Sequence, residues 1–172
     1  MQDAFSRMEL LVGNTGVKKL SRAKIAVFGL GGAGSQVAES LARCGVGSLT
    51  LIDHEKITLT NIGSQVLALH STLGMSKVEA AKKRIRDIDE NILVHTYETF
   101  YNEETAGMFE LRSFDYIVDT MERPISSPET PPATMIPAQK PIKHRISLSL
   151  IHIFSTLQNT GQRYRGKVSE CR

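Results

Sequence analysis

The amino-acid sequence predicts an α/β domain built on a doubly wound, mostly parallel sheet. Short apolar runs of strand type alternate with runs of helical spacing, the first strand turns into the first long helix through four glycines in six residues ("GLGGAG"), and the second strand ends on a carboxylate.

The elements follow in order. "FSRMELLVG" (5–13) reads as a short helix leaning on the sheet with Met8, Leu11 and Val12 as its buried side. "AKIAVFG" (23–29) is a largely apolar strand, and "GGAGSQVAESLARCGV" (31–46) places Val37, Leu41 and Cys44 on one helical face. Gly45 and Gly47 stop that helix, and "SLTLID" (48–53) returns as a second strand, completing one βαβ unit. "SKVEAAKKRIRDID" (76–89) has Ser76 at the N-cap, Glu79 at the capping-box position, and Val78, Ala81, Ile85 and Ile88 on one face. "NILVHTYETF" (91–100) and "DYIVDT" (115–120) are the third and fourth strands.

Composition limits the function classes. With 172 residues, 41% hydrophobic and 23% charged, one soluble globular domain is expected. No apolar run approaches the roughly 20 residues of a membrane helix and the N-terminus lacks a signal-peptide core, so a cytoplasmic location without membrane attachment is expected. Two cysteines, Cys44 and Cys171, form neither a disulfide framework nor a zinc knuckle, and Cys44 is read as a packing residue.

The net charge of +3 is unevenly placed. Residues 1–124 carry 14 Lys+Arg against 16 Asp+Glu, whereas 125–172 carry 7 against 2, and all six prolines lie between Pro124 and Pro141. The chain therefore divides into a Rossmann-like α/β unit, 1–122, and a Pro-rich, basic, irregular tail, 123–172. The tail is not expected to continue the sheet, because Pro124 removes a donor and disfavours helix at Arg123.

Within the strand–turn–helix unit, Gly29 allows the tight turn, Gly31 lets backbone approach a phosphate, and Gly34 permits close helix–strand packing. Asp53 falls where a carboxylate accepts hydrogen bonds from ribose hydroxyls, so an adenosine nucleotide is the expected ligand. Further on, "LIDHEKITLTNIGSQ" supplies Asn61, and Lys77 opens the next helix. A triphosphate needs such donors and cations more than a dinucleotide does, which favours ATP over NAD.

These segments together, "GLGGAG", "LIDHEKITLTN" and "STLGMSKVEAAKKRIRDID", resemble the adenylating superfamily of ubiquitin-activating enzymes and bacterial sulfur-carrier adenylyltransferases. Within it, "RMELLVG…KKLSRAKIAVFGLGGAGS" and "LARCGVGSLTLIDHE" are most similar to the tRNA threonylcarbamoyladenosine dehydratases, over about residues 5–120. The resemblance implies ATP-dependent activation of a carboxylate as an acyl-adenylate, with Mg2+, on tRNA and in a homodimer. It implies that Gly29, Gly31, Gly32 and Gly34 form the nucleotide loop and that Asp53 holds the ribose. Asn61 and Lys77 would hold the phosphates, Arg7 would reach the γ-phosphate from a second subunit, and Asp119, the first acid of a VDxxD motif, would belong to the cofactor-binding set.

The chain departs from the family pattern twice. Ser64 stands in the place of an arginine, and Glu122 replaces the second acid of a VDxxD motif as a candidate metal ligand. The family's second half, which closes over substrate, has no counterpart in the tail, whose composition suggests a truncated or chimeric end and an impaired dehydratase.

Plain structural readings stand beside these. Asp53 could simply bind loop N–H groups, Lys77 and Arg7 could be solvated, the five histidines lack ligand spacing, and "KKRIR" (82–86) fits a solvated helix face. The rival functions are activation of a sulfur-carrier protein's carboxylate, a nucleotide-binding module without turnover, and an NAD-binding oxidoreductase half.

Overall fold

The computed structural model describes residues 4–121 together with 145 and 146. Strands β1 (Lys24–Phe28), β2 (Ser48–Ile52), β3 (Leu93–Tyr97) and β4 (Tyr116–Asp119) pair in parallel in the order β3-β2-β1-β4. Two further residues, β5 (Arg145–Ile146), pair in parallel with β4. The expectation that 123–172 leaves the sheet otherwise lies outside the described residues.

All-parallel strands are buried on both faces, and β1 shows it: Ala26, Val27 and Phe28 are fully buried. Helices α2 (Gly32–Arg43) and α3 (Lys77–Ile88) cover one face. Val37, Ala38 and Ala42 from α2 and Val78, Ala81 and Ile85 from α3 join Val27, Leu49, Leu51 and Val118 in the larger core cluster. The opposite face carries Ala26, Phe28, Ile52 and Ile117. Among the described residues it is covered by Tyr101, Phe109 and Leu111, from the segment of short 3-10 turns that follows β3.

Burial of its apolar face holds α3 in place, but the expected capping box does not form. Ser76 occupies the N-cap with extended backbone and makes no side-chain cap bond. Glu79 instead accepts from the Thr96 hydroxyl of β3 at 2.8 Å, so a tertiary partner outcompetes the local one.

Helix α1 (Ser6–Leu20) corrects the expectation for the N-terminal segment. It is longer than expected, kinks at Gly13 (φ 72°, ψ 166°), and buries no residue. Leu11 is 81% exposed and Val12 46%, so the apolar side expected to face the sheet does not. The attachments explain this. Phe5 packs over Gly45 and Leu20 meets the core edge, while the sheet face beyond is already occupied by α2 and α3.

Strand order creates the site. The chain runs from β1 outward to β2 and β3, then crosses back to place β4 on the other side of β1. A crevice at the carboxyl ends of β1 and β4 is where open α/β sheets take ligands.

Candidate functional site

A cavity of about 380 Å³ lies at that switch point. Among the described residues each strand contributes its following loop: Gly29, Gly31 and Gly32 after β1; Asp53, His54 and Glu55 after β2; Thr99, Phe100 and Tyr101 after β3; Thr120 and Met121 after β4. Ile52, Gln65 and Lys77 complete the lining.

The glycine turn is shaped from within. Gly29 has φ 84°, where an L side chain is strained, and a Cβ there would stand 3.2 Å from the Thr120–Met121 backbone. At Gly34 a Cβ would come within 1.9 Å of the Gly29 carbonyl oxygen, so the first turn of α2 lies directly against the loop. Gly31 differs: a Cβ there meets nothing within 4 Å, because the residue borders the open cavity. Thr120 fixes the turn from β4, its hydroxyl shared between the carbonyl oxygens of Phe28 (3.0 Å) and Gly29 (2.8 Å). The N-terminus of α2, with Gly31 at the N-cap, thus presents free N–H groups at the cavity.

Asp53 has a second task. It is 8% exposed, and its carboxylate accepts the Leu30 N–H at 2.6 Å and the Glu55 N–H at 2.7 Å. The plain structural reading of Asp53, that it binds loop N–H groups, is met, and these bonds tie the β1 and β2 loops together. Each oxygen retains a lone pair for a further donor in the cavity.

Lys77 opens α3 with its side chain 2% exposed, and its ammonium donates to the Glu55 carboxylate, which is half exposed. That hydrogen bond holds the Glu55 carboxyl below the usual range. A buried ammonium at the mouth of a helix N-terminus opposes the helix dipole and needs a nearby anion. Glu55 supplies one.

Of the residues expected from sequence, Gly29, Gly31, Gly32, Asp53 and Lys77 meet at the cavity. Gly34 supports the loop from behind, and Asn61 caps the 3-10 turn Leu59–Asn61 by accepting the Thr58 N–H at 2.9 Å. Asp119 accepts the Met121 N–H at 3.2 Å, one residue before the lining. Arg7 is exposed on α1 and is not among the residues lining the cavity. Glu122 lies outside the described residues. Cys44 behaves as a packing residue whose thiol burial pushes upward.

Sequence reasoning missed three groups. Gln65 lines the cavity with its Oε1 buried and without a hydrogen-bond partner. His54 and Phe100 meet edge to face at 5.0 Å, and Tyr101 packs edge to face against Phe28 of the core. The signal available was an aromatic pair just past a parallel strand's carboxyl end. Among the described residues no cluster of three or more His, Cys, Asp or Glu side chains could hold a metal ion, and no helix is long and apolar enough to cross a membrane.

Comparison with known proteins adds to this geometry. The profile of the ThiF family matches residues 5–135. The chain is 42% identical over 122 residues to the tRNA threonylcarbamoyladenosine dehydratase of Bacillus subtilis, covering 71% of this chain and 48% of that protein. It is 36% identical over 104 residues to the molybdopterin-synthase adenylyltransferase of Haemophilus influenzae, covering 60% and 42%. Among solved structures, the Escherichia coli tRNA N6-threonylcarbamoyladenosine dehydratase in complex with ATP superimposes with a TM-score of 0.68 at 32% identity, covering 70% of this chain and 49% of that one. The chain spans about half the length of the relatives it matches.

Proposed function

The chain belongs to the ThiF family, and from that premise we propose that its cavity binds ATP to adenylate a carboxylate, that of a threonylcarbamoyl group on a tRNA adenosine, in the cytoplasm. The observation that carries the reading is the convergence, on one cavity, of a glycine loop at a helix N-terminus, a strand-end carboxylate and a buried lysine. The likeness to an ATP-bound dehydratase supports the same nucleotide.

The residues fit this ligand in kind. Gly31 leaves open space where a side chain would stand, and the N–H groups of α2 face it. The Asp53 lone pairs not engaged by Leu30 and Glu55 accept ribose hydroxyls, and Lys77 balances phosphate charge. ATP supplies an electrophilic α-phosphorus and a pyrophosphate leaving group, turning the acid into an acyl-adenylate. The protein's own work is positioning and charge stabilisation. Lys77 arrives already oriented by Glu55 and gains an anionic partner it need not be desolvated to meet. Mg2+ commonly takes one or two carboxylates with substrate phosphates as remaining ligands, a role that Asp119 fits in kind.

Arg7 completes the proposal through a homodimer. It does not line the cavity of its own chain and lies on α1 beside the exposed Leu10 and Leu11, so a second copy docking there would receive it. Adenylation of a sulfur-carrier protein is the second reading, favoured by the likeness to the molybdopterin-synthase enzyme.

Pyrophosphate–ATP exchange tests the reading. Exchange dependent on threonylcarbamoyladenosine tRNA is expected; exchange dependent on a carrier protein instead would favour the second reading, and binding of ATP without exchange would leave a module without turnover.

A further inference from the structure

Tyr101 has two unlike surroundings. Its ring is locked in the core of the second sheet face, edge to face with Phe28 at 5.0 Å and tilted against Phe109 at 5.8 Å, and the residue is 7% exposed. Yet it lines the cavity, and among the described residues no hydrogen-bond partner meets its hydroxyl. Among the described residues the one buried side-chain polar atom without a partner is Gln65 Oε1, so the Tyr101 hydroxyl is not an orphaned buried group but one that borders the cavity. Burial pushes the phenol up from its usual range, so it stays a neutral O–H, able to donate and accept.

Its position limits what it can meet. The phosphate-suited groups, the α2 N-terminus and Lys77, belong to helices on one sheet face, whereas Tyr101 belongs to the core of the other. Beside it Phe100 and His54 form an aromatic wall, 46% of Phe100 being exposed. A flat uncharged base with polar edges matches an aromatic wall bearing one neutral hydroxyl; a phosphate does not.

We propose that the Tyr101 hydroxyl is a specificity-determining contact to the nucleobase, reading the hydrogen-bonding edge of adenine from a ring that the core holds rigid. The inference rests on the nucleotide reading of the same cavity. A rigid donor makes such discrimination effective, because a wrong base leaves a polar group unpaired.

The test is titration of the full chain and of Tyr101→Phe with ATP and GTP. The variant keeps the ring and its packing. Wild type is expected to prefer ATP, and the variant to lose about 3- to 10-fold in ATP affinity with GTP binding unchanged. An unaltered ATP-to-GTP ratio in the folded variant overturns the inference while leaving the nucleotide reading intact. Absence of ATP binding by wild type overturns both. Independently of whether the variant folds, inorganic tripolyphosphate is titrated into wild type: binding as tight as that of ATP and GTP, which would mean the base contributes nothing, also overturns it.

Discussion

The Asp53 carboxylate accepts the Leu30 backbone N–H at 2.6 Å, joining the end of β2 to the glycine turn that follows β1. With the 2.7 Å bond from the Glu55 N–H, it makes the glycine turn and this strand-end acid one unit. Asp53→Ala is therefore expected to lower stability by about 3 kcal/mol as well as to weaken ATP binding, since two charge-assisted bonds are lost. Asp53→Asn, which keeps an acceptor, should cost less. Denaturant titration of both variants checks this; wild-type stability in Asp53→Ala would show that the loop closes without the carboxylate.

The glycines separate binding from folding. Gly31→Val places its side chain in open cavity at an ordinary backbone conformation, so the protein should fold and lose ATP. Gly34→Val drives a Cβ into the Gly29 carbonyl at 1.9 Å, so it should not fold stably. Melting curves with and without ATP distinguish the two, and normal ATP protection in Gly31→Val would make the loop a structural turn alone.

What could be read from sequence was what the backbone or a lone charge decides. Gly29, Gly31, Asp53 and Lys77 carry such signals, because a tight turn, a close approach or a buried ion admits few residue types. Periodicity revealed that α1 has apolar residues but not that Leu11 would lack a surface to bury against, which depends on where α2 and α3 lie. Glu79 was likewise drawn from its cap to Thr96 by β3, far along the chain. Tyr101 carries no such signal, because its proposed role arises where four loops, distant in sequence, close on one space.

Ser64 offers a gain-of-function test. It is exposed, and its carbonyl oxygen would lie 3.1 Å from a Cβ on Gly32, which places it beside the first turn of α2, where phosphate is proposed to bind. Ser64→Arg should tighten ATP binding about tenfold, the scale of a charge-assisted bond, and steepen its salt dependence. Titration at two salt concentrations measures both. Unchanged affinity would mean that the 64 position does not face the triphosphate.

The Glu55–Lys77 pair is asymmetric, and the asymmetry sets two further outcomes. The Lys77 side chain is 2% exposed and that of Glu55 54%, so removing either partner is not equivalent. Lys77→Met leaves a carboxylate that water can solvate, whereas Glu55→Gln leaves a buried ammonium without its anion, and should be the more destabilising. The solvent exposure of Glu55 screens the pair, so the loss falls short of that for a fully buried ion pair. The sign of the pH dependence follows from the lowered Glu55 carboxyl. A carboxyl depressed in the folded state contributes its full stabilisation above its unfolded value, about pH 4.3, and loses it as pH falls through the lower folded value. Wild type should therefore melt well above Glu55→Gln at pH 7, with the gap closing below about pH 4. Thermal melts of both proteins between pH 3 and pH 7 provide the measurement, and a gap that does not change with pH would show that the ion pair is not its source.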